Sequence, residues 1–505
     1  MPRPHRVRPL APTLPFLTAC LLLACGGPRA EPAPAPQGPP RLLVLSSMIG
    51  YIEPCGCTVD LLLGGVDRAV ARVAAERAEG PTAVLVVGPT FFDGAVKAHQ
   101  VGQEESKARL LGDALRRIGV DAFVPGASDL GQGAAFYDQA AAGLPDVTVN
   151  VPGGVGRILP LGALKVGLLG VAPAGVPLKG GTSTDPLPAA QAAAQALRAQ
   201  GAQVIVGLAA LTRADLRPVS RGVEGVDLWI LGDHPDELEA ATAVGDTYVI
   251  EAGDRGRNLG RVLLLDAAGP GRLTDPVGDH ARQVQRLKLQ IQMRKDMAAR
   301  MPSPQLKAAI AGLEAELAAL PPPQATGKRF EYSLIPLPKD APADPEVTGW
   351  MTRWNEALKA MNLAAAGDIP PVPAGGQAFV GDAQCVDCHD EPMQVWKQTP
   401  HARAWQTLVD AGKTFDAECV SCHVVGFQQP GGTVMGKTAG KEAVQCEACH
   451  GPGEKHVEMG GGEAYTRLRV PEEVCTQCHN RKHSPKFDYA TYLPKILGPG
   501  HQKRD

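Results

Sequence analysis

Aromatic side chains are scarce, at 4 % of the chain, and neither sign of charge dominates: 50 Lys and Arg stand against 53 Asp and Glu. Proteins that grip nucleic acid through its phosphates usually show a basic excess. This chain shows none, so nucleic acid is not an expected partner. Long apolar runs are also lacking. The most apolar stretch, from about Ala11 to Leu23, is broken by Pro12 and Pro15 and is too short to span a bilayer. Apolar residues still make up 44 %, enough for real cores, which excludes a wholly disordered chain. A length of 505 residues implies two or three domains. What is abundant is concentrated: of 12 Cys and 12 His, eight of each lie beyond residue 376. An ordinary globular domain does not have that composition.

The N-terminus begins with Arg3, Arg6 and Arg8, followed by the short apolar stretch, and reads as a signal peptide over 1–24. Leu22-Leu23-Ala24-Cys25 resembles a bacterial lipobox, which implies cleavage before Cys25 and acylation of that residue. Gly26, rather than Asp, beside Cys25 fits the outer-membrane sorting pattern. Residues 25–40 are rich in Pro and Ala and read as a tether. The expectation is an exported, periplasmic or cell-envelope lipoprotein that meets the membrane through its lipid.

Four Cys-x-x-Cys-His motifs follow one another in the last quarter: Cys385, Cys388 and His389; Cys419, Cys422 and His423; Cys446, Cys449 and His450; Cys475, Cys478 and His479. This spacing attaches c-type haem. Two thiols add to the two vinyl groups of one porphyrin, and the adjacent imidazole is placed to ligate the iron. Two Cys₄ zinc sites or a set of disulfides would leave the His after each second Cys unexplained. The expected cofactors are therefore four covalent haems, with His389, His423, His450 and His479 as proximal iron ligands. So short a segment has little core of its own, and the porphyrins are expected to supply it. His401, His456, His483 and His501 lie outside the motifs and are the distal candidates, with His401 and His456 favoured. Met393, Met435 and Met459 are alternative axial ligands.

The same region resembles the tetrahaem cytochrome c family that accepts electrons from hydroxylamine oxidoreductase. The resemblance rests on Cys385–His389 with Trp396 and Thr399-Pro400-His401-Ala402, on Cys419–Val425, on Cys446–Gly453 with His456, and on Cys475–His479 with Ser484–Phe487. It implies that His401 ligates a haem other than the one attached beside it, and that the partners are redox donor and acceptor proteins.

From Arg41 to about Asp266, short β-rich runs alternate with helical stretches, the pattern of an α/β domain. Expected strands are Leu42–Leu45, Ala83–Val87, Ala122–Val124, Val147–Val149, Lys165–Val171, Val204–Leu208, Asp227–Leu231 and Arg261–Leu265. The landmarks Gly50–Cys57, Gly64–Arg68, Phe91–Gly94, Asp227–Gly232 and Gly253–Asp266 resemble the 5′-nucleotidase branch of the calcineurin-like metallophosphoesterases. The family's metal ligands are mostly missing. Ser47-Met48-Ile49 stands for Asp-x-His, Gly88-Pro89 for Gly-Asp, Gly126-Ala127-Ser128-Asp129 for Gly-Asn-His-Asp, and Gly232-Asp233-His234-Pro235 for Gly-His-x-His. A two-metal site needs several of these ligands together, so no divalent metal is expected. Glu53, Asp93, Asp129, Asp233 and His234 are the polar residues that the resemblance would bring near the site.

The expected architecture is multidomain. An α/β metallophosphoesterase-like sandwich with a degraded metal site spans 41–267, a helical connector 268–375, and a mostly helical or irregular multihaem cytochrome c domain 376–505. The leading functional expectation is an electron carrier with no catalytic residue. The alternatives are a multihaem oxidoreductase acting on a small inorganic nitrogen or sulfur compound, and a nucleotidase or other phosphoester hydrolase.

Cys55 and Cys57 have no role in this scheme. A Cys-Gly-Cys pair in an oxidising compartment is a redox or metal-binding pair, an inert disulfide, or two free thiols. The expectation is a redox-responsive or metal-binding pair, and thiol labelling before and after mild reduction, together with metal analysis, tests it. A permanently oxidised, metal-free pair that tolerates double Ser substitution leaves only the inert disulfide.

Overall fold

The computed structural model describes residues 37–501, apart from 56–61, 179, 234–237, 239, 324–325, 463–464, 481–482, 485–486 and 499–500. The signal and lipidation expectations at 1–24 and Cys25 lie outside the described residues, as do Cys57 and His234. Among the described residues no helix is long and apolar enough to cross a membrane.

Two sheets form the N-terminal part. The first contains β1 (Arg41–Ser46), β2 (Thr82–Gly88) and β3 (Ala122–Pro125). The second contains β4 (Arg157–Leu161), β5 (Leu164–Val171), β6 (Val204–Ala209), β7 (Leu228–Leu231), β8 (Thr242–Val244) and β9 (Thr247–Glu251). β10 (Asn258–Leu265) returns to the first sheet and β11 (Arg329–Pro336) ends it. The orders are β11-β10-β1-β2-β3 and β8-β9-β7-β6-β5-β4. β1 pairs parallel with β2 and antiparallel with β10. β5, β6, β7 and β9 are mutually parallel, as crossover helices require.

Strand alternation sets the layers. Leu42, Val44, Leu85 and Val87 face Val166, Leu168, Val206 and Ile230 across the space between the sheets. The intervening Leu43, Leu45, Val84 and Val86 face outward, under α1 (Val66–Glu79) and α2 (Val101–Ile118). On the other side Leu169, Ile205 and Trp229 pack under α3 (Pro186–Ala199) and α4 (Arg213–Gly222). Because both faces are covered, the strands are continuous apolar runs rather than alternating ones. The result is a four-layer α/β sandwich, the fold class read from the sequence.

Beyond β10, α5 (Pro276–Arg300) and α6 (Pro304–Ala318) form a hairpin, broken where Pro302 and Pro304 flank the N-cap Ser303. β11 then pairs with β10 over eight residues. α7 (Pro345–Ala365) buries Val347, Met351, Trp354 and Leu358 in the core beneath α1 and α2. The stretch expected as a connector therefore adds a strand and a covering helix to the sandwich.

Val147–Val149, expected as a strand, contributes only isolated bridges, Phe123 to Asp146 and Thr148 to Gly170. β4, β8 and β9 lacked a distinct sequence signal. The haem-motif region holds short helices and a small apolar cluster of Leu408, Ala417, Val420, Val424 and Met435.

The two sheets approach closely where Gly88 ends β2 with φ +87°; a Cβ there would lie 1.9 Å from the Gly232 carbonyl oxygen. Gly88→Ala combines a left-handed conformation with overpacking, costs of about 1–2 and 1–3 kcal/mol. A marked drop in the thermal midpoint of the sandwich is expected by circular dichroism; an unchanged midpoint would show that the two loops do not touch.

Candidate functional site

Each haem motif is built as one helical turn. α8 (Ala417–His423) carries Cys419, Cys422 and His423, and Cys446–His450 is itself a five-residue helix. In the first and fourth motifs the His N–H donates to the carbonyl of the first Cys, at 3.0 Å for His389 and 2.8 Å for His479. Residues i, i+3 and i+4 share a helix face, so two thiols and an imidazole project together. The eight thiols are not bridged to one another. This argues against the disulfide reading. Among the described residues no three metal-ligating side chains converge as a zinc site requires.

Three of the four motif imidazoles face a second imidazole. His389 stands 6.0 Å from His456 between ring centroids, His479 stands 6.0 Å from His401, and His450 stands 6.5 Å from His501. A metal–imidazole bond of about 2 Å on each side, plus the distance from each ligating nitrogen to its ring centre, accounts for such a spacing. A haem iron therefore fits between each pair. His483, whose N–H donates to Asn480 Oδ1 at 3.1 Å, lies in the turn after the fourth motif. No imidazole pairs with His423 among the described residues. Met393 and Met435 are buried in apolar surroundings, and Met459 is exposed.

Hydrogen bonds orient the rings. His423 Nδ1 donates to the Ala404 carbonyl at 2.5 Å, His450 Nδ1 to Arg467 at 2.7 Å, and His456 Nδ1 to Gly462 at 3.1 Å. Such outer partners fix the tautomer and leave Nε2 for the metal. Burial lowers the pKa of His401, His423, His479 and His501, which keeps each ring neutral as a ligand must be.

The motifs also meet through their thiols. Cys385 lies beside Cys446. Cys422 likewise lies beside Cys478. The attachment points of the first and third motifs are thus adjacent, as are those of the second and fourth, an arrangement suited to passing electrons.

The strand ends expected from the sequence to lie near a degraded metal site are tied together by the protein's own groups. Ser47 Oγ donates to the Gly232 carbonyl, and Ser46 Oγ to that of Gly253 at 2.8 Å. Ser47 and Ile49 have φ of 43° and 42°, a local strain at the end of β1. Asp129 is fully buried and accepts the N–H groups of Thr90 at 2.8 Å, Phe91 at 2.6 Å and Gly126 at 3.0 Å. It is a knot between two loops. Glu53 is engaged elsewhere, accepting from Asn355 at 2.7 Å and Lys413 at 2.5 Å. Asp93 is exposed and Asp233 half-buried. The backbone of Cys55 lies in a two-residue ladder, Pro54–Cys55 against Leu63–Gly64.

Sequence reasoning missed Gln103 and Lys107, which reach the haem-motif region from α2. Gln103 Nε2 donates to Asp416 Oδ1 at 2.7 Å, and Lys107 Nζ meets Glu418 at 3.2 Å. Their signal was a Gln and a Lys in helical register with the apolar Leu110, Leu111 and Ala114.

The family described as Cytochrome c554 and c-prime matches residues 384–451. Cytochrome c-554 of Nitrosomonas europaea is 31 % identical over 24 % of this chain and 68 % of that protein. The solved structure of reduced cytochrome c554 from the same organism is 25 % identical over 24 % of this chain and 79 % of its own, with a TM-score of 0.18. Thermus thermophilus sulfate thiohydrolase SoxB is 14 % identical, with a TM-score of 0.44; the alignment covers 65 % of this chain and 62 % of SoxB. The 5′-nucleotidase precursor of Thermus thermophilus is 17 % identical, covering 74 % of this chain and 67 % of its own, with a TM-score of 0.43.

Asp129 provides a titratable signature of this loop junction. Burial pushes its carboxyl up to about 7 from the ordinary 3.8, against the pull of the Phe91, Thr90 and Gly126 amides. The folded chain keeps this proton at pH values where the unfolded chain has lost it. The stabilisation is complete below the unfolded pKa and disappears as the pH rises through about 7. Thermal midpoints should therefore fall between about pH 4 and 7 relative to those of Asp129→Asn. Parallel profiles for the two proteins would contradict it.

Proposed function

The chain belongs to the cytochrome c554 family through its C-terminal quarter, and on that premise we propose that it carries electrons through four covalently bound haems in the cell envelope. Cys385 and Cys388, Cys419 and Cys422, Cys446 and Cys449, and Cys475 and Cys478 hold the four. When bound, the iron of each supplies a one-electron ferric–ferrous couple. His389 with His456, His479 with His401, and His450 with His501 would each hold one iron, and His423 would hold the fourth. The observation that carries this reading is the trio of imidazole pairs at 6.0, 6.0 and 6.5 Å.

Two imidazoles on one iron leave no exchangeable position for a substrate, which suits outer-sphere transfer to and from redox proteins. The adjacency of Cys385 to Cys446 and of Cys422 to Cys478 supports passage from one motif to the next. That no second imidazole faces His423 among the described residues favours a second activity, binding of a small inorganic molecule at that one iron. The lipobox at Cys25 and the tether after it support a lipid-anchored, exported protein. The sandwich acts as a scaffold without phosphoesterase chemistry. The Gly88–Gly232 contact supports this, since a metal pair cannot share that space.

Pyridine haemochrome quantitation should give four haems per chain. Electron paramagnetic resonance should show three low-spin haems and one high-spin haem, and carbon monoxide should bind the reduced protein at one site. His401→Ala should convert one further haem to high spin. Several carbon monoxide sites in the unmodified protein, or an unchanged low-spin count in the variant, would overturn the ligand scheme.

A further inference from the structure

The second haem motif is held differently from the first and third. The first and third are tied to each other within the C-terminal region. The Glu447 carboxylate accepts the N–H groups of Val380 at 2.9 Å, Gly381 at 2.7 Å and Gly453 at 2.8 Å, and Gln445 accepts that of Asp382 at 2.9 Å. The second motif is instead seated on the sandwich. Gln103 of α2, 1 % exposed, has both ends of its amide engaged at that seat. Its nitrogen donates to Asp416, and its oxygen accepts Ala417 N–H at 3.0 Å and Asn362 Nδ2 at 2.8 Å. Asn362 of α7 donates in turn to the Phe415 carbonyl at 2.7 Å. Asp416 caps α8 by accepting Glu418 N–H at 3.0 Å. The helix that presents Cys419, Cys422 and His423 thus has its N-terminus fixed by two helices of the other fold.

One turn further along α2, the buried Lys107 lies 2.9 Å from Glu104 and 3.2 Å from Glu418, the residue before Cys419. Burying an ammonium is costly unless it is matched, and here the match crosses the domain boundary. Burial pulls Lys107 down, but Glu418 and Glu104 outweigh it and keep the group charged. Lys413, paired with Glu53, and Lys97 complete the charges around the motif.

We propose that α2 is the seat of the haem bound at Cys419–His423, with Gln103 and Lys107 as positioning residues through which the sandwich sets that haem's reduction potential. This rests on the four-haem reading above. Reduction lowers the iron's charge by one unit, so a fixed cation nearby favours the ferrous form and a fixed anion the ferric form. Lys107 raises the potential of this haem. Without it, Glu104, Asp416 and Glu418 face the site with one cation fewer and lower the potential.

The test is a redox titration of the full-length, four-haem protein, monitored by optical absorption and by the high-spin resonance assigned to the His423 haem. Lys107→Met should shift that one step to lower potential and leave the other three in place. Lys107→Arg, which keeps the charge, should restore it. Glu418→Gln should shift the same step upward, and it decides the matter alone if Lys107→Met does not accumulate folded protein. Haemochrome quantitation on the parent comes first, because fewer than four haems there refutes the haem count rather than this inference. With four haems present, an unmoved step, equal shifts at all four haems, or shifts of the same sign in Lys107→Met and Glu418→Gln would overturn it.

Discussion

The C-terminal region has too little apolar protein to hold itself together. Its buried cluster centres on Leu408, Ala417, Val420, Val424 and Met435, whereas the sandwich buries three extensive clusters. Small domains without enough core require a covalent or metal staple. Cys-x-x-Cys-His supplies both in five residues: two thioether bonds and one iron ligand. The short helices and turns between motifs then need only aim side chains. That is why the backbone there is mostly loops and one-turn helices, and why imidazoles pair across long stretches of sequence. In such a region the free energy of holding the cofactor is also the free energy of folding.

The sandwich follows the opposite logic. Its apolar side chains fill the space between layers, and the strand ends near Ser47, Gly88 and Gly232 are closed by backbone. Gly88 and Gly232 touch, Ser46 and Ser47 bond to carbonyls, and Asp129 binds three amides. Such an arrangement favours rigidity over ligand exchange. A rigid body is what α2 requires in order to present Gln103 and Lys107 to the second motif at fixed distance.

Much of this was legible in the sequence because the signals are local. The four motifs declare their chemistry within five residues each, and the runs at Leu42–Leu45, Ala83–Val87 and Val204–Leu208 lie within strands of the two sheets. What was not legible depends on distant residues meeting. Phe330–Leu337 has the composition of a strand, but only the pairing with β10 makes Arg329–Pro336 the edge of the first sheet. His501 ranked low as a ligand because nothing near it in sequence resembles a site, yet its ring lies 6.5 Å from that of His450 between centroids. Gln103 and Lys107 occupy positions that a helical stripe assigns to core. They are buried, but against another domain's polar groups, which periodicity alone does not distinguish from apolar packing.

The imidazole pairs form a closed figure. Under the ligand scheme proposed above, the segment after the first motif would supply His401 to the fourth, the segment after the fourth His501 to the third, and the segment after the third His456 to the first. Three segments joined by three bridges make a triangle, and a triangle stays connected when any one side is cut. One axial ligand of the three can be exchanged for a weaker one while the remaining two bridges still tie all three segments together. Retuning a redox centre is thereby uncoupled from the mechanical integrity of the region, a freedom that a linear string of bridges does not have.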